Sequence, residues 1–389
     1  MTLAHARRRL GVLVVLALVA ACHPRSDEHW LGSVQQVAPG VEFYRTADDS
    51  LVQGAGPIAV FLIRLDPARA RLSSVLANDE VADVESVIDI ARRHNALAAI
   101  NGGFFNGTNG DPLGVLKVSG ELVSDASQSK GAVVIEAPPD SATALTFDRL
   151  SVKMTMTFMG ADTGWQVPID GVDTTRERGK LMLYTPAYYA HTDTAPTGTE
   201  WVLDGRPLRV TEVRVRAGHT AIPPDGAVIS YGGLTLPEAL ASLDVGMAVG
   251  FHTIWQTERG LSPARLDAAD HVVSGAGLLR RGGHVVDDWT DEGLSTDAFT
   301  AARHPRTLIG LDAWGFIWLV AVDGRQPDYS IGMHFSDLQR LADRLDLTDA
   351  LNLDGGGSTT MVVAGQVVNR PSDPLGARPV GDAILVTPP

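Results

Sequence analysis

The chain has 389 residues, 44% hydrophobic and 20% charged, with 40 glycines, 22 prolines and a single cysteine. This is a globular composition, which excludes collagen-like and disordered chains and argues against a multi-span membrane protein. One cysteine cannot close an internal disulfide or build a multi-cysteine zinc site, and a formal net charge of −14 argues against a nucleic-acid partner, because phosphate backbones want a basic surface.

The chain opens with a cationic stretch, Arg7-Arg8-Arg9, and an uncharged apolar run over residues 10–21. As a helix that run spans about 18 Å, short of a roughly 30 Å hydrocarbon core, so it reads as a secretory signal and not as a membrane span. It ends Leu18-Val19-Ala20-Ala21-Cys22. Small residues before the lone cysteine resemble a bacterial lipobox, in which the cysteine is acylated after cleavage. The expected organisation is a lipoprotein signal peptide at 1–21, a polar linker at 22–35 that begins with lipidated Cys22, and one catalytic domain at 36–389. The expected location is the bacterial cell envelope, with the protein tethered by its lipid to a membrane on the periplasmic or extracellular side. An ordinary signal peptide that happens to contain a cysteine is the alternative.

Beyond the linker, short β-rich runs alternate with Gly, Pro, Asn and Asp, predicting strands near 58–65, 131–135, 180–184, 200–203, 227–230, 316–322 and 360–363. A soft seam falls at 138–141. Val84, Val87, Ile88 and Ala91 share one helical face behind Asp83 as a candidate N-cap. Leu338, Leu341, Ala342 and Leu345 repeat the pattern, with Ser336 and Gln339 as a capping box, and a shorter helix is expected at 237–243. The fold class is therefore α+β, a sheet-dominated single catalytic domain with a few helices packed on the sheet.

Two helices lead into similar endings. The first is followed by an apolar strand at 96–100 and then Asn101-Gly102-Gly103; the second by a strand at 350–353 and then Asp354-Gly355-Gly356-Gly357-Ser358-Thr359-Thr360. A polar side chain followed directly by glycines lets a ligand approach bare backbone N–H groups. The expectation is that both turns face one pocket, against the plainer reading of two tight turns. His304-Pro305-Arg306-Thr307 precedes one apolar strand and Val322-Asp323-Gly324-Arg325 follows another. Arg306 offers a planar fork for phosphate or carboxylate, and Asp323 sits at a strand end as Asp354 does. His191, after Tyr188-Tyr189, is either a proton shuttle or a solvated loop residue. There is no Walker loop, no His-Glu-x-x-His, no EF-hand loop and no Gly-x-Ser-x-Gly elbow. No metal and no cofactor are implied, although acidic loops could take Ca²⁺.

In this order, Asn101-Gly102-Gly103-Phe104-Phe105, His304-Pro305-Arg306-Thr307, Val322-Asp323-Gly324-Arg325 and Leu353-Asp354-Gly355-Gly356-Gly357-Ser358-Thr359 resemble the phosphodiester glycosidase family, whose bacterial members are often called exopolysaccharide biosynthesis proteins. Further similar stretches are Leu183-Tyr184-Thr185-Pro186, Gly198-Thr199-Glu200, Ser274-Gly275-Ala276-Gly277, Asn369 to Asp373 and Arg378-Pro379-Val380, so the resemblance covers roughly 55–386. The chain departs from the family at Gly376-Ala377-Arg378-Pro379, where an acid usually precedes the arginine.

The resemblance implies hydrolysis of a sugar-1-phosphodiester at the anomeric carbon, in a cell-envelope or extracellular glycan. Phosphate leaves with little protonation, so an arginine and backbone donors can stabilise the developing anion while a carboxylate activates water or attacks the sugar. The expected catalytic residues are Asp354 first, Asp323 second, and Arg306 on the leaving phosphate. The substrate-binding set is Asn101, Gly102, Gly103, His304, Gly355, Gly356, Gly357, Ser358, Thr359 and Arg378. Two other classes stay open, a lipid-anchored glycan-binding protein without turnover and a hydrolase of an ordinary glycoside or phosphate ester.

Overall fold

The computed structural model describes residues 28–139, 141–160, 163–294 and 297–389. The signal-peptide and lipidation readings, Cys22 included, lie outside the described residues. Among those residues, no helix is long and apolar enough to cross a membrane.

Four sheets carry the fold. An eight-stranded sheet joins the first described strands to strands late in the chain: Val41–Thr46 and Val60–Leu65 are followed across the sheet by Ile317–Val322, Arg306–Asp312, Leu347–Asn352 and Leu278–Arg281. A five-stranded sheet runs Gln366–Val367, Met361–Val363, Ala98–Asn101, Asp382–Thr387 and Arg71–Leu76. A seven-stranded sheet is built on the long strands Ala126–Glu136 and Ala144–Met159, and a further five-stranded sheet is local to residues 171–217 and 227–231. The seam expected at 138–141 is the connection of a hairpin, since Glu136 pairs with Ala144 across it. Pairing continues through it because residues of both strands pack into the same clusters, Val133, Ile135, Leu145 and Phe147 on one face and Ala132, Val134, Leu150 and Val152 on the other.

The largest core cluster lies between sheets: Phe61, Ile63, Ile309, Leu319 and Leu351 from the eight-stranded sheet meet Leu72, Ile100, Met361, Ile384 and Val386 from the five-stranded one. Both sheets are buried on two faces there, which explains why strands such as Ile317–Val322 read as continuous apolar runs and not as alternating ones.

The fold is α+β and sheet-dominated, as expected, with five short α-helices among the described residues. Two begin elsewhere than the pattern suggests. The first spans Val87–Arg93, and its N-cap is Ser86, whose hydroxyl accepts from Asp89 N. Asp83 cannot cap it because Glu85 is already paired in a β-bridge with Val380, which keeps the chain extended there. The second helix, Phe335–Arg344, is capped by His334, whose ring accepts from Asp337 N while the Asp337 carboxylate accepts from His334 N. That box displaces the expected Ser336 and Gln339 pair; its apolar face, Leu338, Leu341 and Ala342, is buried as expected. The third, Glu238–Ala241, is a single turn.

Candidate active site

The segment from Leu353 to Thr360 crosses from one sheet to the other. It leaves the strand Leu347–Asn352 of the eight-stranded sheet and enters Met361–Val363 of the five-stranded sheet, beside Ala98–Asn101. Leu353 N donates to Thr307 O at 2.9 Å and Asp354 N to Gly102 O at 3.2 Å, so the crossing is anchored in both sheets.

The two glycine turns meet at Asn101, which is 1% exposed and ends its strand. Its Nδ2 donates to Asp354 O at 2.7 Å, and its Oδ1 accepts from Thr307 Oγ1 at 2.8 Å and Thr360 N at 3.2 Å. Asn101 is thus a staple between the turns, with its amide committed to protein groups. This corrects the expectation that it binds sugar directly.

Asp354 holds its backbone half-buried, but its carboxyl end is enclosed. Burial pushes that carboxyl up to about 6, opposed by the N–H of Gly355, which donates to Oδ1 at 2.8 Å, and by the positive charges of Arg378 and Arg325. The hydroxyl of Ser358 pulls in the same downward direction, although it lies beside the carboxylate without a well-formed hydrogen bond. A carboxylate in this range can change protonation state near neutral pH.

A second buried carboxyl group lies close enough to feel its charge. Asp382 opens the strand Asp382–Thr387, is 3% exposed, and accepts from Gly103 N at 3.0 Å and from Ser74 Oγ at 3.5 Å. Burial, with the charge of Asp354 added to it, pushes Asp382 up to about 7. Its closeness explains Gly102: a Cβ there would lie 1.9 Å from Asp382 Oδ2, inside the carboxylate. Gly102 and Gly103 therefore admit an acid to the backbone, and Gly103 binds it. The sequence reading missed Asp382. Its one legible signal was a Gly-Asp pair heading an apolar strand, at residues 381–382.

The cations at this turn are Arg325 and Arg378. Gly356 has φ +61°, a left-handed conformation that favours glycine, and a Cβ there would lie 3.0 Å from Arg325 Nη2. A Cβ on Gly357 would lie 2.3 Å from Arg378 Nη2. Both guanidinium groups consequently lie against bare glycine backbone, and both side chains are exposed. Arg325 Nη2 also meets His304 Nδ1 at 3.3 Å, and His304 Nε2 is 3.1 Å from Ala298 O. With Nε2 donating to that carbonyl, Nδ1 is the acceptor for Arg325. Arg378 is oriented by Asp373, whose Oδ2 accepts from its Nε at 3.0 Å. The turn's own N–H groups are largely spent: Gly355 on the Asp354 carboxylate, Gly356 on Pro305 O, Ser358 on Gly355 O and Thr359 on Gly356 O.

Arg306 does not fit the role expected of it. It is 2% exposed, donates from Nε to Met333 O at 2.9 Å and from Nη2 to Phe299 O at 2.6 Å and Ala302 O at 3.1 Å, and lies between the rings of Phe299 and Phe335. It ties the 299–302 loop and Met333 to the strand it begins. Asp323 is likewise structural. It is 1% exposed and accepts from Asn369 Nδ2 at 2.9 Å and Arg370 N at 2.8 Å. Asn369 passes the constraint on, donating to Thr359 O at 3.0 Å and accepting from Met361 N at 2.8 Å. Asp323 therefore sets the position of the glycine turn from behind. Arg306 begins the strand Arg306–Asp312 and Asp323 directly follows Ile317–Val322, and both are enclosed by protein partners.

Ser358 and Thr359 are buried, 0% and 1% exposed, and Thr359 Oγ1 accepts from Thr307 Oγ1 at 3.3 Å. They shape the turn from inside. His191 is elsewhere, among Tyr189, Asp193 and His219. A cleft of about 300 Å³, lined by Lys117, Leu122, Met154, Phe251 and Trp255, shares no residue with the turn.

Comparisons with known proteins find similarity to one family over part of the chain. The family model of phosphodiester glycosidases matches residues 198–387, which include Arg325, Asp354, Arg378 and Asp382 but not Asn101. Among curated proteins, N-acetylglucosamine-1-phosphodiester alpha-N-acetylglucosaminidase is 34% identical over 86 residues in Mus musculus and 35% identical over 86 residues in Homo sapiens. Each match takes in 22% of this chain and 16% of the relative, so the chain matches only a small part of those proteins. Two solved structures share the fold more widely. A hypothetical protein from Synechocystis superposes with a TM-score of 0.75 at 25% identity, over 91% of this chain and 63% of that one. A protein from Burkholderia pseudomallei superposes with a TM-score of 0.73 at 26% identity, over 86% of this chain and 74% of that one.

Proposed function

We propose that this chain, similar to the phosphodiester glycosidase family through residues 198–387, hydrolyses a sugar-1-phosphodiester at the sugar's C–O bond, in a glycan of the cell envelope or outside the cell. The observation that carries the reading is the pair Asp354 and Asp382, two enclosed carboxyls of raised pKa beside two exposed guanidinium groups. An enclosed carboxyl beside two guanidinium groups favours hydrolysis, in which a carboxylate activates water or attacks the anomeric carbon, over glycan binding alone.

In this reading Arg325 and Arg378 hold the phosphate, and their grip strengthens as the leaving group gains charge. Asp354, ionised above about 6, activates water or attacks the anomeric carbon. Asp382 is a positioning residue. It keeps a proton to higher pH than Asp354 and is held by Gly103, so a single negative charge is favoured in the pair near neutrality. Asn101, Thr307, Asn369 and Asp323 fix the turn that carries the reacting acid.

The test is turnover of a synthetic sugar-1-phosphodiester by the purified protein, with glycan binding measured in parallel. Release of free sugar and a phosphomonoester supports the reading. Binding without turnover, or turnover only of an ordinary glycoside or phosphate monoester, replaces it.

A further inference from the structure

A second cluster, built from residues that the candidate active site does not use, joins two loops of the sheet local to residues 171–231. His191, Asp193 and His219 each present a ligand atom within 4.8 Å of the others. The rings of His191 and His219 are 3.5 Å apart between centroids. His219 Nδ1 is 3.8 Å from Asp193 Oδ1, too far for a hydrogen bond. Most telling, His191 Nδ1 is buried and has no hydrogen-bond partner. A buried ring nitrogen left unpaired is costly, and an imidazole with a partnerless nitrogen, clustered with a second imidazole and a carboxylate, is suited to a cation.

The two loops are held together independently of any ion. Thr192 N donates to Thr220 O at 2.9 Å, Thr220 N to Thr192 Oγ1 at 3.1 Å, and Ile222 N to Ala190 O at 3.1 Å. His219 N donates to Thr194 Oγ1 at 3.3 Å. Beneath them Glu200, 0% exposed, accepts from Thr192 Oγ1 at 3.1 Å, Thr194 Oγ1 at 2.7 Å and Ser230 Oγ at 2.8 Å, and also from Thr220. The loops that present the three residues are thus fixed before any ligand arrives.

We propose that His191, Asp193 and His219 form a binding site for one zinc ion, or an equally borderline divalent transition metal, separate from the candidate active site. Two imidazoles and one carboxylate are a donor set for zinc, whereas calcium and magnesium take oxygen ligands. Bonds of about 2.0–2.2 Å need donors about 3.3 Å apart. Asp193 and His219, both exposed, can close that distance by rotating while His191 stays seated. Three protein ligands leave the fourth position of a tetrahedral ion open to water or to an external group.

The experiment strips the full chain with a chelator and titrates it with Zn²⁺ alone by calorimetry, with Co²⁺ in parallel as a visible-spectrum probe. Expected are one site per chain, a tetrahedral Co²⁺ spectrum, and Zn²⁺ affinity at least 100-fold above that for Ca²⁺. His219→Ala and Asp193→Asn, both at exposed positions, should each weaken Zn²⁺ at least tenfold without changing the thermal melt of the metal-free protein. His191→Ala should weaken it further. Absence of stoichiometric binding overturns the proposal. So does a preference for Ca²⁺, or a Zn²⁺ affinity unchanged in the His219→Ala protein.

Discussion

Asp354 is in position to act because it is enclosed but not sealed. Asp354→Asn keeps the shape and the turn but removes the charge and the proton acceptor, so kcat should fall about 10²–10⁴-fold. The melting temperature should hold or rise, since a dry carboxyl is lost; near-normal turnover in a folded protein would remove Asp354 from the mechanism. Arg378→Ala should lower kcat and kcat/KM together, by about 10²–10³ if the group grips charge that develops only in the transition state. A rise in KM alone would make Arg378 a ground-state contact. The acids also set a pH dependence of stability. Asp382 moves from an ordinary 3.8 to about 7 in the folded protein. The folded state therefore holds a proton between those values that the unfolded chain releases, and stability from this group is full below pH 4 and lost as pH rises through 7. Asp382→Asn should flatten the fall in melting temperature between pH 5 and pH 8; an unchanged slope would show that Asp382 does not titrate there.

At the scale of elements, strand ends decide which polar residues reach the site. The strands Leu347–Asn352 and Ala98–Asn101 come from different sheets, and Asn101 joins their ends through Asp354 O. Arg306 begins a strand next to one of them but faces the other way, where three backbone carbonyls and two aromatic rings enclose it. Its truncation removes a buried donor from the carbonyls of Phe299 and Ala302 and from Met333 O, which keeps the N–H of His304. Arg306→Ala should cost about 3 kcal/mol or more, seen as a lower midpoint in denaturant melts. Whatever fraction remains folded should bind the phosphodiester with nearly unchanged KM. A stable Arg306→Ala protein with collapsed kcat would return Arg306 to the leaving phosphate.

For the whole molecule, the site exists because one segment crosses between two sheets that share a core. Residues distant in the chain, 101, 325, 354, 378 and 382, are gathered at that crossing. Whether the assembly is tethered depends on residues 1–27, outside this framework. The expected mature protein begins at an acylated Cys22, and two acyl chains there would hold it at a membrane. Mass spectrometry of the mature N-terminus checks this, and an unmodified start at another residue would make it a secreted protein.

Much was readable from residues alone. Strands such as Ile317–Val322 are apolar throughout and bounded by Gly or Asp, so periodicity and composition locate them without tertiary information. The glycine-rich run after Leu353 marks a site because three glycines with an acid exceed what a turn requires, and the family resemblance rests on the same residues. Side-chain direction was not readable. Arg306 and Arg325 flank strands in equally plausible motifs, yet one is clamped under aromatic rings and the other lies over Gly356. Likewise Asp323 and Asp382 both border apolar strands, and only packing decides that the first braces the turn while the second meets the charge of Asp354. His191 and His219 are 28 positions apart, so no local spacing announces their meeting. Local pattern determines which segments form strands and turns, because that depends on near neighbours. The partners of a charge depend on which sheets pack together, and only the tertiary structure decides that.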